Sequence, residues 1–464
     1  MKLTGFLFAA ALLGACTQAA EENYTRHVDP KIGTGGHGHV FVGANVPFGL
    51  VQVGPTSIPQ TWDWCSGYHA SDSTVIGFSH THLSGTGIGD LFDVTVMPVT
   101  GDVTYARGEE ADPASGLWSY ADRTQEIARP GYYSVPLTRY GIRAELTATA
   151  RVGLHRYTFP ASDAAAVVFD LENGGCWDKA TETHLAKEGD RTVTGWRHST
   201  GWAKDQRVYF AAEFSKPFEK FETIGDNYAR ASFRTTDGEQ VSLKVALSPV
   251  SVEGAKANLA AELSGWDFDA TAKAADKAWN DELSKVKIET ADETARRIFY
   301  TALYHTMIAP SLFCDVNGDY YGSDHAIHRN AGFTNYTTFS LWDTYRAAMP
   351  LMTVLHPERM PDIIQTMLHI ADEQGRLPVW HLWGNETDCM VGNPGIVAVA
   401  DAIVKDIPGF DREKAFEAIR KTAMNPDRGN GLRMEYGYIP CEMFNEAVAY
   451  DMEYALADGA AARA

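Results

Sequence analysis

Cysteine is scarce in this chain of 464 residues, which contains six. Cys16 lies near the start, and the remaining cysteines are far apart, odd in number and without any Cys-x-x-Cys pair. This pattern indicates neither a disulfide framework nor a thiolate zinc site. We expect most of them to pack as small apolar groups. The five are Cys65, Cys176, Cys314, Cys389 and Cys441.

Positively charged residues are also few relative to acidic ones. The chain has 40 Lys and Arg against 60 Asp and Glu, which gives a formal net charge of -20. Because the phosphates of nucleic acids would be repelled, this balance argues against nucleic acid as a partner and favours solubility. The hydrophobic share of 45% and the 11 tryptophans nevertheless allow a large core, with aromatic side chains left for a ligand.

The sequence has no apolar run long enough to span a membrane near its N-terminus. Lys2 is followed by an apolar stretch over residues 3–13, well short of the roughly 20 residues that a membrane helix needs. This arrangement is typical of an export signal, which we predict over residues 1–25. The segment Leu13-Gly-Ala-Cys16 resembles a bacterial lipobox, with Cys16 as the lipid attachment site. We expect a periplasmic protein or an outer-membrane lipoprotein of a bacterium, and cleavage without lipidation is the alternative.

Hydrophobic periodicity predicts a multidomain chain of the β + α class. Residues 27–265 alternate with a period of two, as in 241–247, and turn residues interrupt them often, which indicates an N-terminal β-sandwich. Residues 266–290 are rich in Ala, Lys and Asp and predict a linker helix. From 291 to 464 the period is helical; the stripe starting at Met360 ends at Gly375. We expect this last part to form an incomplete helical barrel.

Histidines and glycines near the N-terminus suggest two kinds of site. Residues 33–38 match the dinucleotide fingerprint Gly-x-Gly-x-x-Gly, but the following residues cannot form the helix that pyrophosphate binding requires. Two His-x-His pairs follow, each of which would present both rings on one face of a strand, as in some zinc sites. Hydrogen bonding to sugar hydroxyls or packing are the alternatives. The pairs are His37 with His39 and His80 with His82, with His69 between them.

Three clusters combine aromatic, acidic and amide side chains. Such mixtures suit saccharides, whose C–H faces stack on indole rings while their hydroxyls bond to polar groups. Core packing is the alternative for the first cluster, and helix N-capping is the alternative for Asp343 in the second. Acidic groups could also bind calcium, although no EF-hand spacing is present. The clusters are 62–69, with Trp62 and Trp64; 339–346, with Trp342, Asp343 and Arg346; and 380–390, with Asn385 and Glu386.

Several stretches together resemble glycoside hydrolase family 92, the calcium-dependent exo-acting α-mannosidases. Among them are Gly77-Phe-Ser-His-Thr-His-Leu-Ser-Gly-Thr-Gly87, Ser340-Leu-Trp-Asp-Thr344 and Trp383-Gly-Asn-Glu386. Further matches occur at 28–39, 47–52, 65–69, 130–135 and 145–149. Their order along residues 27 to 440 makes the combination specific, although each motif alone is weak.

The resemblance implies a β-sandwich joined by a helical linker to an (α/α)6 barrel, with the sugar site at the interface. It implies an inverting, α-1,2-type exo-mannosidase acting on mannose-containing glycans, with one carboxylic acid and one carboxylate base. Ca²⁺ would grip ring hydroxyls of the terminal mannose. The substrate-binding residues that it implies are Trp62, Trp64, His80, His82, Trp342, Asp343, Arg346, Asn385 and Glu386.

The last stretch, 445–464, has the pattern of a helix without a C-cap. The family's acid, base and main calcium segments are expected downstream of Ala464, so we expect no catalytic residues in this chain and leave its metal ligands unknown. On this basis the chain is an inactive N-terminal portion of a family member. The alternatives are a non-catalytic mannoside-binding lipoprotein and, from the His-x-His pairs, a zinc hydrolase of another kind.

Overall fold

The computed structural model describes residues 22–112, 114–174 and 176–464. Most of the predicted export signal, including Cys16, lies outside the described residues. Two residues assigned to that signal are part of the fold instead. The backbone N–H of Tyr24 donates to Asn280 Oδ1 at 2.7 Å, and the Thr25 hydroxyl donates to Asp276 Oδ1 at 2.7 Å. Both are buried, so the folded domain includes residues before 27.

Antiparallel strands dominate the first half of the chain. They are β1 Gly54–Thr56, β2 Thr74–Val75, β3 Gly77–Ser79, β4 Thr95–Thr100, β5 Ser119–Tyr120, β6 Ile127–Arg129, β7 Tyr132–Leu137, β8 Ile142–Ala148, β9 Val152–Phe159, β10 Ser162–Asp170, β11 Lys179–Glu188, β12 Thr192–Thr200, β13 Gln206–Phe214, β14 Lys220–Ile224, β15 Tyr228–Thr235 and β16 Glu239–Ser248. One sheet has the order β1-β3-β4-β10-β15-β14, and the other has the order β11-β12-β13-β16-β9-β8-β7-β6.

The two sheets enclose one apolar core. In β16, Val241, Leu243 and Val245 are fully buried, and they pair in register with Tyr157, His155 and Gly153 of β9. Because side chains alternate between the two faces of a strand, this period of two places the apolar set on the inner face. The predicted β-sandwich is confirmed.

Helices dominate the second half of the chain. They are α1 Val252–Glu262, α2 Phe268–Leu283, α3 Glu293–His305, α4 Leu341–Thr344, α5 Ala348–Leu355, α6 Met360–Gln374, α7 Pro394–Val404, α8 Arg412–Ala423, α9 Asn430–Tyr436 and α10 Ala447–Ala461. Short strands lie between some of them: β17 Ser311–Leu312, β18 Tyr320–Tyr321, β19 Ile327–His328, β20 Tyr336–Thr337, β21 Phe339–Ser340, β22 Trp380–Leu382 and β23 Asn385–Glu386. In α6, Met360, Ile363 and Met367 are buried, and Gly375 ends the helix at φ +88°, as its sequence predicts.

Two helices, rather than one, follow the last sandwich strand. The first, α1, lies within the range predicted for the sandwich, because the Ser251 hydroxyl accepts from the Gly254 N–H and starts a helix there. The second, α2, starts at Asp267, whose carboxylate accepts from the Ala270 N–H. Trp279 of α2 is fully buried and donates its indole N–H to Asn45 O at 2.7 Å. This contact attaches α2 to the sandwich.

The two halves share a hydrophobic core. Phe313, Tyr321, Trp380, Leu382 and Trp383, all from the helical half, belong to the same buried cluster as the sandwich interior. The helical half therefore packs directly on the sandwich, and a cleft remains where the loops of both meet. Among the described residues, no helix combines the length and apolar character that crossing a membrane would require.

Candidate active site between the sandwich and the helices

A cleft of about 160 Å³ lies between the two halves. The loop after β3 contributes Ser84, Gly85 and Thr86, and the helical half contributes His305 and Asp343 among others. Asp343 is one of the site residues predicted from the sequence, whereas the small polar loop and His305 are not among them. The signal for the loop was present in Ser-Gly-Thr-Gly, a short run of flexible and hydroxyl-bearing residues next to a strand.

Asp343 presents an exposed carboxylate to this cleft. It lies in the first turn of α4, and its carboxylate accepts a hydrogen bond from the Ser340 hydroxyl. The N-cap position belongs to Ser340, so the capping explanation for Asp343 is wrong. An exposed carboxylate with one hydroxyl partner keeps lone pairs free, and these can accept hydrogen bonds from ligand hydroxyls.

Trp342 and Arg346 lie beside Asp343 and differ in how fully their polar groups are used. The Arg346 guanidinium lies 4.6 Å from the ring centroid of Trp342 and 4.2 Å from that of Tyr345, and it forms an ion pair with Glu453 of α10. By contrast, the buried Trp342 Nε1 has no hydrogen-bond partner among the described residues. Buried indole N–H groups usually find a partner, so this donor lacks a contact that such groups normally make.

Trp62 lies on the other side of the cleft loop. Its side chain is 49% exposed, and its indole N–H donates to Gly87 O at 2.8 Å, one residue beyond Thr86. The His39 ring packs edge-on at 4.3 Å between centroids, which orients the indole. A Cβ on Gly87 would lie 2.5 Å from Trp62 Cζ2, so only glycine allows this approach. The result is an oriented aromatic face next to the cleft.

Trp64 has a structural role here. Its indole N–H donates to Asp72 Oδ2 at 2.7 Å, and its ring stacks on His69 with centroids 4.4 Å apart. Both its polar group and a ring face are therefore used within the protein. The two tryptophans of the 62–69 cluster thus differ, and Trp62 is the better placed of them for a sugar.

The predicted roles of His80 and His82 do not fit the structure. His80 is fully buried, with Nδ1 2.6 Å from Val94 O and Nε2 2.9 Å from His155 Nε2, and burial lowers its pKa to about 4. His82 Nδ1 lies 2.8 Å from Gln52 O, and burial lowers the pKa of His82 to about 3. Both rings lie inside the sandwich. Within the described residues, no histidine of either His-x-His pair belongs to a cluster with metal-binding geometry, which counts against the zinc hypothesis.

Asn385 and Glu386 hold the loop that carries them. The Asn385 amide accepts from Asp205 N–H at 3.0 Å and donates to Asp205 O at 2.9 Å. The Glu386 carboxylate accepts three backbone N–H groups, those of Val379, Trp380 and Asp388, at 2.8, 2.8 and 3.0 Å. These contacts use the polar atoms that the predicted substrate binding would need. Asn385 thereby attaches β23 to the start of β13 in the sandwich, and Glu386 fixes the chain around β22.

The described residues contain two clusters that could hold a metal ion, and neither fits the implied calcium. Glu282, His356 and Glu358 surround the ammonium of Lys285, which lies 2.7 Å from Glu282 Oε2 and 2.9 Å from Glu358 Oε1. A cation therefore already occupies that cluster. The other, Asp324 with His328 and Glu373, offers a nitrogen and few oxygens, whereas Ca²⁺ takes six to eight oxygen ligands.

A sandwich joined to a helical domain, with a small cleft at the junction lined by the Asp343 carboxylate and hydroxyl-bearing side chains, is an arrangement that suits a carbohydrate ligand. Comparison with known families makes this specific. Residues 27–248 match the glycosyl hydrolase family 92 N-terminal domain, and residues 254–464 match the family 92 catalytic domain. The chain therefore belongs to glycoside hydrolase family 92. It contains residues of both domains and is not confined to the N-terminal one.

Solved structures and a curated relative agree with this assignment. The chain is 38% identical to the family GH92 α-mannosidase BT3965 of Bacteroides thetaiotaomicron, determined with mannoimidazole, with a TM-score of 0.91 over 95% of this chain and 61% of that one. The inverting mannosidase BT2199 of the same organism is 28% identical, with a TM-score of 0.84 over 94% of this chain and 61% of that one.

A sequence described as an uncharacterized secreted glycosidase, from Arthroderma benhamiae, is 25% identical over 96% of this chain and 59% of its own length. The chain thus spans about three fifths of the length of these relatives.

Proposed function

We propose that this chain is the sugar-binding part of an exo-acting, inverting glycosidase that removes terminal α-linked mannose, of the α-1,2 type, from glycans. The similarity to BT3965, an α-mannosidase solved with mannoimidazole, is the observation that carries the proposal. The inverting course follows the description of BT2199. The secreted relative supports export, and lipid attachment at Cys16 is the form of export that the sequence favours.

The cleft suits one sugar ring at a chain end. Its volume of about 160 Å³ is below the roughly 300–1,000 Å³ of pockets for larger ligands, which agrees with exo action. Asp343, which lines the cleft, would accept hydrogen bonds from sugar hydroxyls. Trp62 offers an apolar face for the C–H side of a second residue or of the aglycone.

Hydrolysis with inversion needs an acid and a base about 6.5–9.5 Å apart, on opposite sides of the bond. Of the described residues, Asp343 is the carboxylate that lines the cleft, and Glu386 is committed to backbone N–H groups. We therefore propose that residues 22–464 bind mannosides without hydrolysing them efficiently. The single carboxylate in the described lining of the cleft also favours the second candidate, a non-catalytic mannoside-binding protein. We assign no step of the reaction to Ca²⁺, and we assign no Ca²⁺ ligands among these residues.

Calorimetric titration with mannoimidazole, combined with a mannose-release assay on α-1,2-mannobiose, tests both parts. We expect binding by the 464-residue chain, and we expect Asp343→Asn to weaken it by about 10- to 100-fold, since hydrogen bonds to charged groups contribute roughly 1.5–3 kcal/mol. Asp237→Asn, at an exposed turn, is the matched control and should bind normally. Equal binding by Asp343→Asn would refute the site, and efficient release of mannose would refute the inactivity.

A further inference from the structure

Two cysteines that are 111 positions apart in the sequence meet in the fold. Cys65 and Cys176 are both free thiols, and their side chains interact with each other. Cys65 is fully buried, whereas Cys176 is half-buried and lines an open cavity of about 770 Å³. Sequence spacing had indicated no disulfide, because the pairing depends on two loops that only the fold brings together.

The backbone around residues 87–89 holds both cysteines in place. On one side, the Trp62 indole donates to Gly87 O at 2.8 Å, and Trp62 O accepts from the Cys65 N–H at 3.1 Å. On the other side, the Trp177 N–H donates to Gly89 O at 3.0 Å. A Cβ on Gly89 would lie 2.7 Å from Cys176 Cβ, so the absence of a side chain there permits the close approach of Cys176.

The surroundings of the two thiols give them different reactivity. The interaction with the Cys65 thiol and the nearby Arg107 guanidinium lower the pKa of Cys176. The same interaction, together with burial, raises the pKa of Cys65. Because the thiolate is the nucleophile in disulfide exchange, Cys176 is both the more reactive thiol and the more accessible one.

We propose that Cys65 and Cys176 form a disulfide when the protein reaches an oxidising compartment. The Cys176 thiolate attacks a small-molecule or protein disulfide donor, which forms a mixed disulfide and releases one donor thiolate. Cys65 then loses its proton, and its sulfur attacks the Cys176 sulfur and displaces the second donor thiolate. Two electrons pass from the cysteines to the donor, which leaves as two thiols.

The crosslink would fasten the turn that carries Trp62 to the loop that precedes β11. It closes a covalent loop of more than a hundred residues, and long closed loops restrict the unfolded chain most. The pairing itself does not depend on mannoside binding, so its failure and that of the proposed function can be told apart. The consequence for Trp62 is that its indole keeps its place beside the cleft.

Peptide mapping tests the pairing directly. The full chain is incubated with oxidised glutathione, remaining thiols are alkylated after denaturation, and the digest is analysed by mass spectrometry with and without dithiothreitol. We expect a reducible peptide pair containing Cys65 and Cys176, lighter by two hydrogen atoms than the free peptides. Alkylation of both residues after oxidation, or linkage of either to a different cysteine, would overturn the proposal.

Variants provide the controls. Cys441→Ser, at an exposed position, should leave the reducible pair intact, and Cys176→Ser should leave Cys65 free for alkylation. We expect the oxidised protein to melt roughly 5 °C or more above the reduced protein. The double variant Cys65→Ser/Cys176→Ser should show no such response to dithiothreitol. An equal response in the double variant would mean that the stabilising bond lies elsewhere.

Discussion

Arg197 of β12 is a fully buried cation inside the sandwich. Its side chain is fully buried, with Nη1 2.7 Å from Asp93 Oδ1 and Nη2 2.7 Å from Asp178 Oδ2. Its Nε–H donates to Leu171 O at 2.9 Å. Two buried carboxylates therefore share one buried guanidinium, and replacing Arg197 by Met leaves both without their cation.

Removing one partner of a buried ion pair costs about 3–5 kcal/mol, because an uncompensated charge stays in the interior. We expect Arg197→Met to lower the free energy of unfolding by about that amount at pH 7.5. Burial raises the pKa of Asp178 to about 6 even with Arg197 present, above its ordinary unfolded value. A raised carboxyl pKa contributes stability below the unfolded pKa, and this contribution is lost as pH rises through the folded pKa.

Without the guanidinium the pKa of Asp178 should rise further, so its carboxyl should be neutral in the folded variant at pH 5. The loss caused by Arg197→Met should therefore be smaller at pH 5 than at pH 7.5, by at least about 1 kcal/mol. Urea unfolding followed by circular dichroism at both pH values measures this. Arg234→Met, at an exposed ion pair with Glu219, is the matched control and should cost less than about 1 kcal/mol. An equal loss at both pH values, or a loss as small as the control's, would refute the reasoning.

Two further changes test the junction and the cleft. Asp315 is buried and accepts a hydrogen bond from the Ser248 hydroxyl at 2.8 Å. Burial raises the pKa of Asp315 to about 6, so the contribution of Asp315 to stability falls as pH rises from about 4 to 6. Asp315→Asn should reduce the fall in melting temperature over that range; an unchanged slope would contradict this. Gly87→Ala should displace the Trp62 indole, shift tryptophan fluorescence and weaken mannoimidazole binding severalfold, whereas Gly265→Ala, with open space around it, should not. If Gly87→Ala bound mannoimidazole with the affinity of the wild type, Trp62 would not contact the ligand.

Local patterns determined the architecture. The alternation of 241–247 predicts β16 because a strand with one buried face must repeat every two residues. The apolar stripe that begins at Met360 and the stop at Gly375 predict α6, because a helix with one buried face repeats its apolar residues with a helical period. The ordered motifs, from the N-terminal glycines to Trp383, were enough to indicate the family. Each of these signals lies within a short stretch of chain, so the sequence alone could show it.

The identity of the site depended on partners far away in the sequence. Spacing shows that His80 and His82 share a face, but only the fold shows that this face is the interior of the sandwich. There, a hydrogen bond joins a ring nitrogen of His80 to the ring of His155. From the sequence, Glu386 is a candidate substrate-binding residue. In the fold, its carboxylate accepts hydrogen bonds from backbone N–H groups around Trp380.

Cys65 meets its partner thiol only once two loops have packed against residues 87–89. The sequence by itself thus determined the sandwich, the helices and the family. The tertiary structure decided which polar side chains face the cleft, because the packing of loops and long-range hydrogen bonding leave no periodic trace in the sequence.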